Sequence, residues 1–342
     1  MKFLLITALL ATGVFFTGLT AHAELPNDER YQFMQEITRT LDLTASNVTL
    51  GMSSGGTSVY GVYMVNGKAR GAVLPENAAT KVSGEIVTFY LARALGVDHL
   101  YSPAIYHHLT GKNLAKLRSV IPSTPYKNSL KEGNRRNLLA RIAKSPEGIH
   151  TVYKHWGHKP ADYDDLVLWR KNSFNTNHVL PGSRTPFAHF LKCDGTRPSQ
   201  TTQVRMNGGT NTEYELARQL STEFLIDALS QQWDRFSGGN LQTITVDGVV
   251  NFASYDNGGT WGGIRWTQKF LQIVTRFDRN VATELLQLND FLANGGNYRG
   301  FRSEAELARG LGIENFPQAM SSLKQSLRLV ADHLRRHTGC YF

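Results

Sequence analysis

The sequence predicts an α+β protein with two unequal lobes, a small β-rich N-terminal lobe and a larger, mostly α-helical C-terminal lobe. Three short β-type segments joined by glycine-containing turns lie early in the chain, between residues 47 and 74. From residue 212 onward, apolar residues recur mainly at helical spacing. Between these regions, residues 145–203 are polar and contain five prolines, which predicts an irregular insertion.

The N-terminus has the pattern of a cleavable export signal. One lysine precedes an apolar run over residues 3–19, and Ala21-His22-Ala23 fits a small-residue cleavage site. No other stretch is long and apolar enough to span a bilayer. We therefore expect a signal peptide over residues 1–23 and a secreted or periplasmic mature chain. Export favours a disulfide between the only two cysteines, Cys193 and Cys340, with two buried free thiols as the alternative.

Two domains are expected in the mature chain. Residues 24–110 would form an N-terminal helix and the first lobe, and residues 111–342 would form the second lobe with the irregular insertion. A helix predicted over residues 83–95 carries Glu85 in its first turn. A carboxylate there also suits the positive end of a helix dipole, so its presence alone assigns no function.

The residues with catalytic potential lie between Phe224 and Gly262. A predicted helix ends just before Asp234, and Asn240 follows six residues later. Two short strands joined by Asp247-Gly248, a two-residue hairpin turn, then lead to Asp256. The three polar residues therefore lie at the ends of adjacent elements. Two carboxylates and an amide are the groups that phosphoryl transfer needs, one to orient a hydroxyl and two to hold a metal ion.

This order of residues resembles the catalytic core of atypical kinases. The most similar are the secreted Golgi casein-kinase-like family, with phosphoinositide kinases and toxin-type bacterial serine kinases as more distant relatives. Asp227, seven residues before Asp234, fits the pattern of the secreted family. The resemblance implies a two-lobed protein-kinase-like fold that binds ATP. It also implies that Asp234 is the catalytic aspartate and that Asn240 and Asp256 bind Mg²⁺ or Mn²⁺.

The resemblance extends to the first lobe. There it implies that a loop rich in glycine and hydroxyl groups covers the nucleotide phosphates, and that Glu85 pairs with a phosphate-binding lysine. The loop residues so implicated are Gly55, Gly56 and Thr57.

The sequence departs from the family at the third strand, which does not end on lysine. Lys81, one helical turn before Glu85, is the first candidate for the missing cation, and it would pair with that carboxylate. Arg70 and Lys68 are the alternatives. Without such a cation the phosphate charge would be poorly neutralised.

The sequence thus predicts an exported kinase-like phosphotransferase that uses Mg-ATP or Mn-ATP on protein or glycan hydroxyls. The alternatives are a catalytically weak pseudokinase acting as a binding partner, a kinase-fold nucleotidyl transferase, and an unrelated exported α+β binding protein. The net charge is +9, which fits a general preference for acidic substrates or surfaces. The basic residues are spread along the chain, so the sequence does not indicate a nucleic-acid-binding patch. The spacing of His150, His155 and His158 matches no helix face, so we do not predict a histidine metal site. Nothing in the sequence indicates the oligomeric state.

Overall fold

The computed structural model describes residues 29–53, 56–77, 80–155, 172–173, 186–206, 208–236, 240–254 and 256–342. The predicted signal peptide over residues 1–23 lies outside the described residues.

The described elements fall into two groups. The first group contains α1 (Glu29–Thr40), β1 (Val48–Met52), β2 (Gly61–Val65), β3 (Lys68–Pro75), α2 (Val82–Ala94), a 3₁₀ turn (Asp98–Leu100), β4 (Ala104–Leu109), α3 (Gly111–Val120), α4 (Ser129–Lys144) and β5 (Ile149–His155). The second group contains β6 (Asn172–Ser173), α5 (Pro186–Phe190), β7 (Gln203–Met206), β8 (Gly209–Thr212), α6 (Glu213–Ser230), β9 (Leu241–Val246), β10 (Val249–Ser254), α7 (Ile264–Ile273), α8 (Arg279–Asn294), α9 (Glu304–Gly310) and α10 (Pro317–Arg336).

The first group is built on a five-stranded antiparallel sheet with the order β1-β2-β3-β5-β4. Strand β5 lies between β3 and β4, although it falls inside the residues 145–203 that we expected to be an irregular insertion. The first sheet therefore includes residues 149–155, which the sequence did not mark as a strand. Strand β5 pairs with β3, about eighty residues earlier in the chain, and such distant pairing leaves no local sequence signal. The domain boundary at residue 110 stays a prediction.

Alternation along the central strands divides the sheet into two faces. Val73 of β3 and Tyr153 of β5 pack in a cluster with α3 and α4. Leu74 and Val152 belong instead to the larger core that contains α2 and α6. Because successive side chains of a strand point to opposite faces, Lys154 lies on the same face as Val152, towards α2. This face of the sheet carries the candidate site.

The second group is organised around α6, which is buried along its last ten residues. Thr212 caps the helix by accepting the backbone N–H of Glu215 at 3.1 Å. Beside α6 lies a second sheet with the order β6-β9-β10-β8-β7. The predicted hairpin between β9 and β10 is confirmed, and both turn residues have positive φ, 50° at Asp247 and 79° at Gly248. Helices α7 and α10 pack against α6.

The predicted disulfide between Cys193 and Cys340 is confirmed, with the two Cα atoms 5.3 Å apart. It ties the segment after α5 to the C-terminal tail. Backbone hydrogen bonds hold the same tail against the second group: Phe277 N–H donates to Cys340 O at 2.9 Å, and Phe342 N–H donates to Phe277 O at 3.0 Å. Among the described residues, no helix has the length and apolar character required to cross a bilayer.

Candidate active site

The loop between α6 and β9 carries two of the predicted site residues. Gln231 ends α6 in the left-handed conformation (φ 53°), which turns the chain away from the helix axis. Asn240 then donates from Nδ2 to Asp234 Oδ2 at 3.0 Å and to Asp234 O at 2.9 Å. Asp234 and Asn240 are therefore together in the structure. Because the amide nitrogen of Asn240 faces the aspartate, its Oδ1 is the atom that could ligate a metal ion.

Arg235 lies behind this loop with a fully buried side chain. Its Nε and Nη2 donate to the two carboxylate oxygens of Asp227 at 2.7 and 2.9 Å. Nη2 also donates to Ser254 Oγ at 2.9 Å and to Asn257 Oδ1 at 2.7 Å, and Nη1 donates to Asn240 O. One buried cation thus joins α6, the loop after it and the end of β10. Charge-assisted hydrogen bonds of this kind are strong and directional, so this network fixes the backbone of the site.

A second buried carboxylate completes this network. Glu223 Oε1 lies 3.2 Å from Arg235 Nη2. Burial raises the pKa of Glu223 to about 7, although the charge of Arg235 acts in the opposite direction. Burial also raises the pKa of Asp227, again against the effect of Arg235. Two carboxylates thus share one guanidinium away from water.

The segment Asp256–Gly259 follows β10 and passes between α2 and the loop after α6. The backbone N–H of Lys81, at the start of α2, donates to Gly258 O at 2.9 Å. On the other side, the N–H of Trp233 donates to Gly259 O at 2.8 Å. The segment is therefore fixed by main-chain bonds to both lobes.

Glycine is required where this segment meets Asp234. A Cβ at Gly259 would lie 2.6 Å from Asp234 Cβ, so a side chain there would displace Asp234. Asp256 Oδ1 accepts the N–H of Gly258 at 3.3 Å, and Gln232 Nε2 donates to Asp256 O at 3.2 Å. Asp256 is thus held close to the loop that carries Asp234 and Asn240.

A lysine that the sequence analysis missed lies opposite this segment. Lys154 Nζ donates to Glu85 Oε2 at 2.9 Å, and the two side chains are 4% and 0% exposed. The other carboxylate oxygen, Glu85 Oε1, accepts the backbone N–H of Asn257 at 3.2 Å. Burial raises the pKa of Glu85, the charge of Lys154 lowers it, and the charge of Asp256 raises it again. Glu85 therefore links a buried cation to the segment that begins with Asp256.

Lys154 lies on the strand next to the third strand, which itself does not end on lysine. In the register of the sheet, Lys154 of β5 is paired with Ala72 of β3. The cation therefore comes from the neighbouring strand, on the face that points towards α2. The expected pair between Lys81 and Glu85 is not formed, because both oxygens of Glu85 are engaged elsewhere. A phosphate-binding role for Lys81 stays a prediction.

The two alternative cations on the third strand occupy different places. Lys68 is exposed at the start of β3. Arg70 is buried at an irregularity in the pairing of β2 with β3, where Tyr63 pairs with Gly71 and Met64 pairs with Ala69. The ion pair with Glu85 is formed by Lys154 of β5 instead.

The glycine loop is partly described. Gly55 lies outside the described residues, whereas Gly56 has a φ of 66° and Thr57 is half-buried. Helix α4 holds both ends of the loop: Lys131 Nζ donates to Ser53 O at 2.8 Å, and Asn134 Nδ2 donates to Thr57 O at 2.9 Å. These bonds hold Ser53 and Thr57 against α4. Its contact with phosphates stays a prediction.

The donor set of the site fits a nucleotide with a hard divalent cation. Asp256 and Asn240 offer carboxylate and amide oxygens, the ligands that Mg²⁺ and Mn²⁺ prefer. Within the described part of the chain, no group of three or more His, Cys, Asp or Glu side chains is arranged to hold a metal ion. Protein sites for Mg²⁺ commonly use one or two carboxylates and take further ligands from substrate phosphates. Lys154 would supply positive charge to those phosphates.

The sequence carried only a weak signal for Lys154. Its segment, IHTVYKH, contains β-branched and aromatic residues but no regular alternation, and it lies beside a polar, proline-containing region. The histidines considered as a metal cluster do not help to locate the site. His150 Nδ1 is instead 2.6 Å from Tyr106 Oη, and neither the side chain of His155 nor any part of His158 belongs to the described residues.

Comparison with known proteins identifies the fold. No protein-family model and no curated protein sequence matches the chain. The structure is similar to a crystal structure of the Golgi casein kinase with Mn/ADP bound, with a TM-score of 0.56 and 13% sequence identity. The match covers 93% of this chain and 78% of that one. The predicted two-lobed, protein-kinase-like α+β fold is thus confirmed, and at this identity the likeness establishes the fold alone.

Proposed function

We propose that the protein is an exported kinase-like phosphotransferase that uses ATP with Mg²⁺ or Mn²⁺ and phosphorylates a hydroxyl group of a protein or glycan. The observation that carries the proposal is the convergence of two pairs on one segment. The buried pair of Lys154 and Glu85 contacts the segment after Asp256 from one side. Asp234, which accepts a hydrogen bond from Asn240, lies against Gly259 of the same segment on the other side.

Each group has a distinct role in this proposal. Asp256 and Asn240 hold the metal ion, which neutralises phosphate charge when it is bound. Lys154 contacts the nucleotide phosphates and is oriented by Glu85. Asp234 accepts a hydrogen bond from the acceptor hydroxyl and takes its proton as the phosphoryl group is transferred.

The buried lysine favours an active enzyme over a pseudokinase. The main sequence argument for a weak or inactive protein is the absence of lysine from the third strand, and Lys154 supplies a cation beside the same helix glutamate. The disulfide between Cys193 and Cys340 supports the exported location, because disulfides persist in oxidising compartments.

Thermal unfolding with and without nucleotide tests the first part of this proposal. A ligand that binds only the folded state raises the apparent stability by mass action. We expect ATP to raise the melting temperature when Mn²⁺ or Mg²⁺ is present and to have a much smaller effect in EDTA. The absence of any shift with ATP, GTP or UTP and either metal would overturn the assignment.

A further inference from the structure

An aromatic and basic surface lies directly beside the catalytic aspartate. Trp233 precedes Asp234 in the chain, and its side chain is 38% exposed, which is unusual for so large an apolar group. Its backbone N–H is tied to Gly259 O at 2.8 Å, so the residue cannot move independently of the site. Within the described chain, only Leu130 and Val249 are comparably exposed large apolar residues.

A second tryptophan extends this surface. Gly262 separates the two rings: a Cβ there would lie 2.7 Å from Trp266 Cδ1 and 2.8 Å from Trp233 Cβ. The segment is anchored to the end of α6, because Trp261 N–H donates to Ser230 O at 2.9 Å and Gly262 N–H donates to Gln231 O at 3.0 Å. Both indoles therefore pack against one glycine, on a backbone anchored to the end of α6.

Two cations lie over the ring of Trp266. Arg265 lies with its Cζ 5.7 Å from the ring centre of Trp266, and Lys269 lies with its Nζ 4.7 Å from the same ring. Lys269 Nζ is also 4.7 Å from the ring centre of Phe236. Among the ion pairs of the described residues, neither Arg265 nor Lys269 has a carboxylate partner. The surface therefore combines flat apolar faces with positive charge that no ion pair within the described residues neutralises.

We propose that this surface, formed by Trp233, Trp266, Arg265 and Lys269, binds the acceptor and that the acceptor is an acidic oligosaccharide. The proposal rests on the phosphotransferase function and specifies its substrate class. A pyranose ring presents a flat face of C–H bonds that stacks on an exposed indole, and its carboxylate or sulfate groups would pair with the two cations. Stacking on Trp233 would place a ring hydroxyl beside Asp234.

The local backbone favours a sugar over a peptide. One common mode of peptide recognition adds the peptide as a strand to a free sheet edge. Residues 256–263, which form the backbone of this surface, contain no strand. The recognition groups offered here are therefore ring faces and cationic side chains, which suit an anionic sugar.

Direct binding measurements without nucleotide test the proposal. Isothermal titration of the full mature chain with an oligogalacturonate hexamer should show binding that weakens as salt is added. A neutral hexamer of glucose and an oligoglutamate peptide should bind much more weakly. Equal binding of the neutral sugar, stronger binding of the peptide, or no binding of the oligogalacturonate would each overturn the proposal.

Variants locate the binding on this surface. Trp233→Ala should weaken oligogalacturonate binding by about tenfold or more, the scale of truncating an aromatic anchor, whereas Trp233→Phe keeps a ring face and should retain most of it. Arg265→Ser should weaken binding and reduce its salt dependence. Leu130→Ala removes an exposed apolar side chain from α4 and serves as the matched control. Unchanged binding by both Trp233→Ala and Arg265→Ser would overturn the site.

The outcomes separate this proposal from the phosphotransferase function. If the protein binds nucleotide and transfers phosphate but does not bind the oligogalacturonate, the acceptor class is wrong and the function stands. If it binds the oligogalacturonate but shows no nucleotide binding or transfer, the surface stands as a sugar-binding site and its role in phosphorylation is wrong.

Discussion

The sharpest mutational test is at Lys154, whose side chain is buried against Glu85. Lys154→Met keeps the length of the side chain but removes its charge, which leaves Glu85 as an uncompensated buried carboxylate. Breaking a buried ion pair in this way costs about 3–5 kcal/mol. Lys154→Met should therefore be strongly destabilised, and a loss of nucleotide binding by this variant alone would be ambiguous.

A double-mutant cycle removes that ambiguity. Glu85→Gln combined with Lys154→Met leaves no buried charge at either position, so it should recover most of the lost stability. If Lys154 contacts the phosphates, the double variant should still bind Mn-ATP roughly tenfold to a hundredfold more weakly, since a hydrogen bond to a charged group contributes about 1.5–3 kcal/mol. Glu85→Gln alone keeps the cation and should lose less affinity.

The assay is isothermal titration with Mn-ATP, on variants whose folding is checked by thermal unfolding. Lys144→Met, which removes an exposed lysine from the end of α4, is the matched control and should bind as wild type. Lys81→Met tests the cation expected from the sequence. Wild-type affinity in the folded double variant, together with a large loss in Lys81→Met, would refute the role given to Lys154.

Three further predictions concern the metal, the buried acid and the disulfide. Asp256→Ala should abolish the metal-dependent part of the ATP-induced thermal shift, and a full shift in this variant would place the metal elsewhere. Burial raises the pKa of Glu223 to about 7 from an ordinary value of 4.5. At a pH between these two pKa values, the Glu223 side chain is protonated in the folded state and ionised in the unfolded state. Glu223 therefore makes stability fall as the pH rises through that window. Glu223→Gln should reduce the difference in the free energy of unfolding between about pH 5 and about pH 8, as measured by urea unfolding. The same difference in the variant as in wild type would contradict the raised pKa. Replacing both Cys193 and Cys340 by serine should lower stability by about 5 kcal/mol in the chain-entropy treatment of a loop this long, and urea unfolding of the double variant without any loss would contradict it.

Features encoded by local sequence could be predicted. The Asp247-Gly248 turn fixes the β9–β10 hairpin because its two residues tolerate positive φ. The end of α6 and the spacing of Asp234, Asn240 and Asp256 then follow from elements that are adjacent in the chain. This is why the core of the candidate site could be placed before its geometry was known.

Features that depend on distant pairing could not be predicted. Strand β5 joins the first sheet only after α3 and α4 have intervened, and its neighbours in the chain are polar. The partner of Glu85 consequently could not be chosen from spacing, and the nearest lysine in sequence, Lys81, was preferred. The structure shows that sixty-nine residues separate the two members of the buried pair.

The central claim is that Asp234 takes part in phosphoryl transfer. The most direct test compares wild type with Asp234→Asn, a change that keeps the shape of the side chain but removes its charge and its capacity to accept a proton. Each protein is incubated with Mn²⁺ and with ATP labelled in either the γ- or the α-phosphate, in the presence of candidate protein and glycan acceptors. We predict that wild type transfers the γ-label and not the α-label, and that Asp234→Asn binds Mn-ATP but transfers neither. Transfer of the α-label would show a nucleotidyl transferase. Absence of transfer by wild type from ATP, GTP and UTP with either metal, or full transfer by Asp234→Asn, would contradict the account.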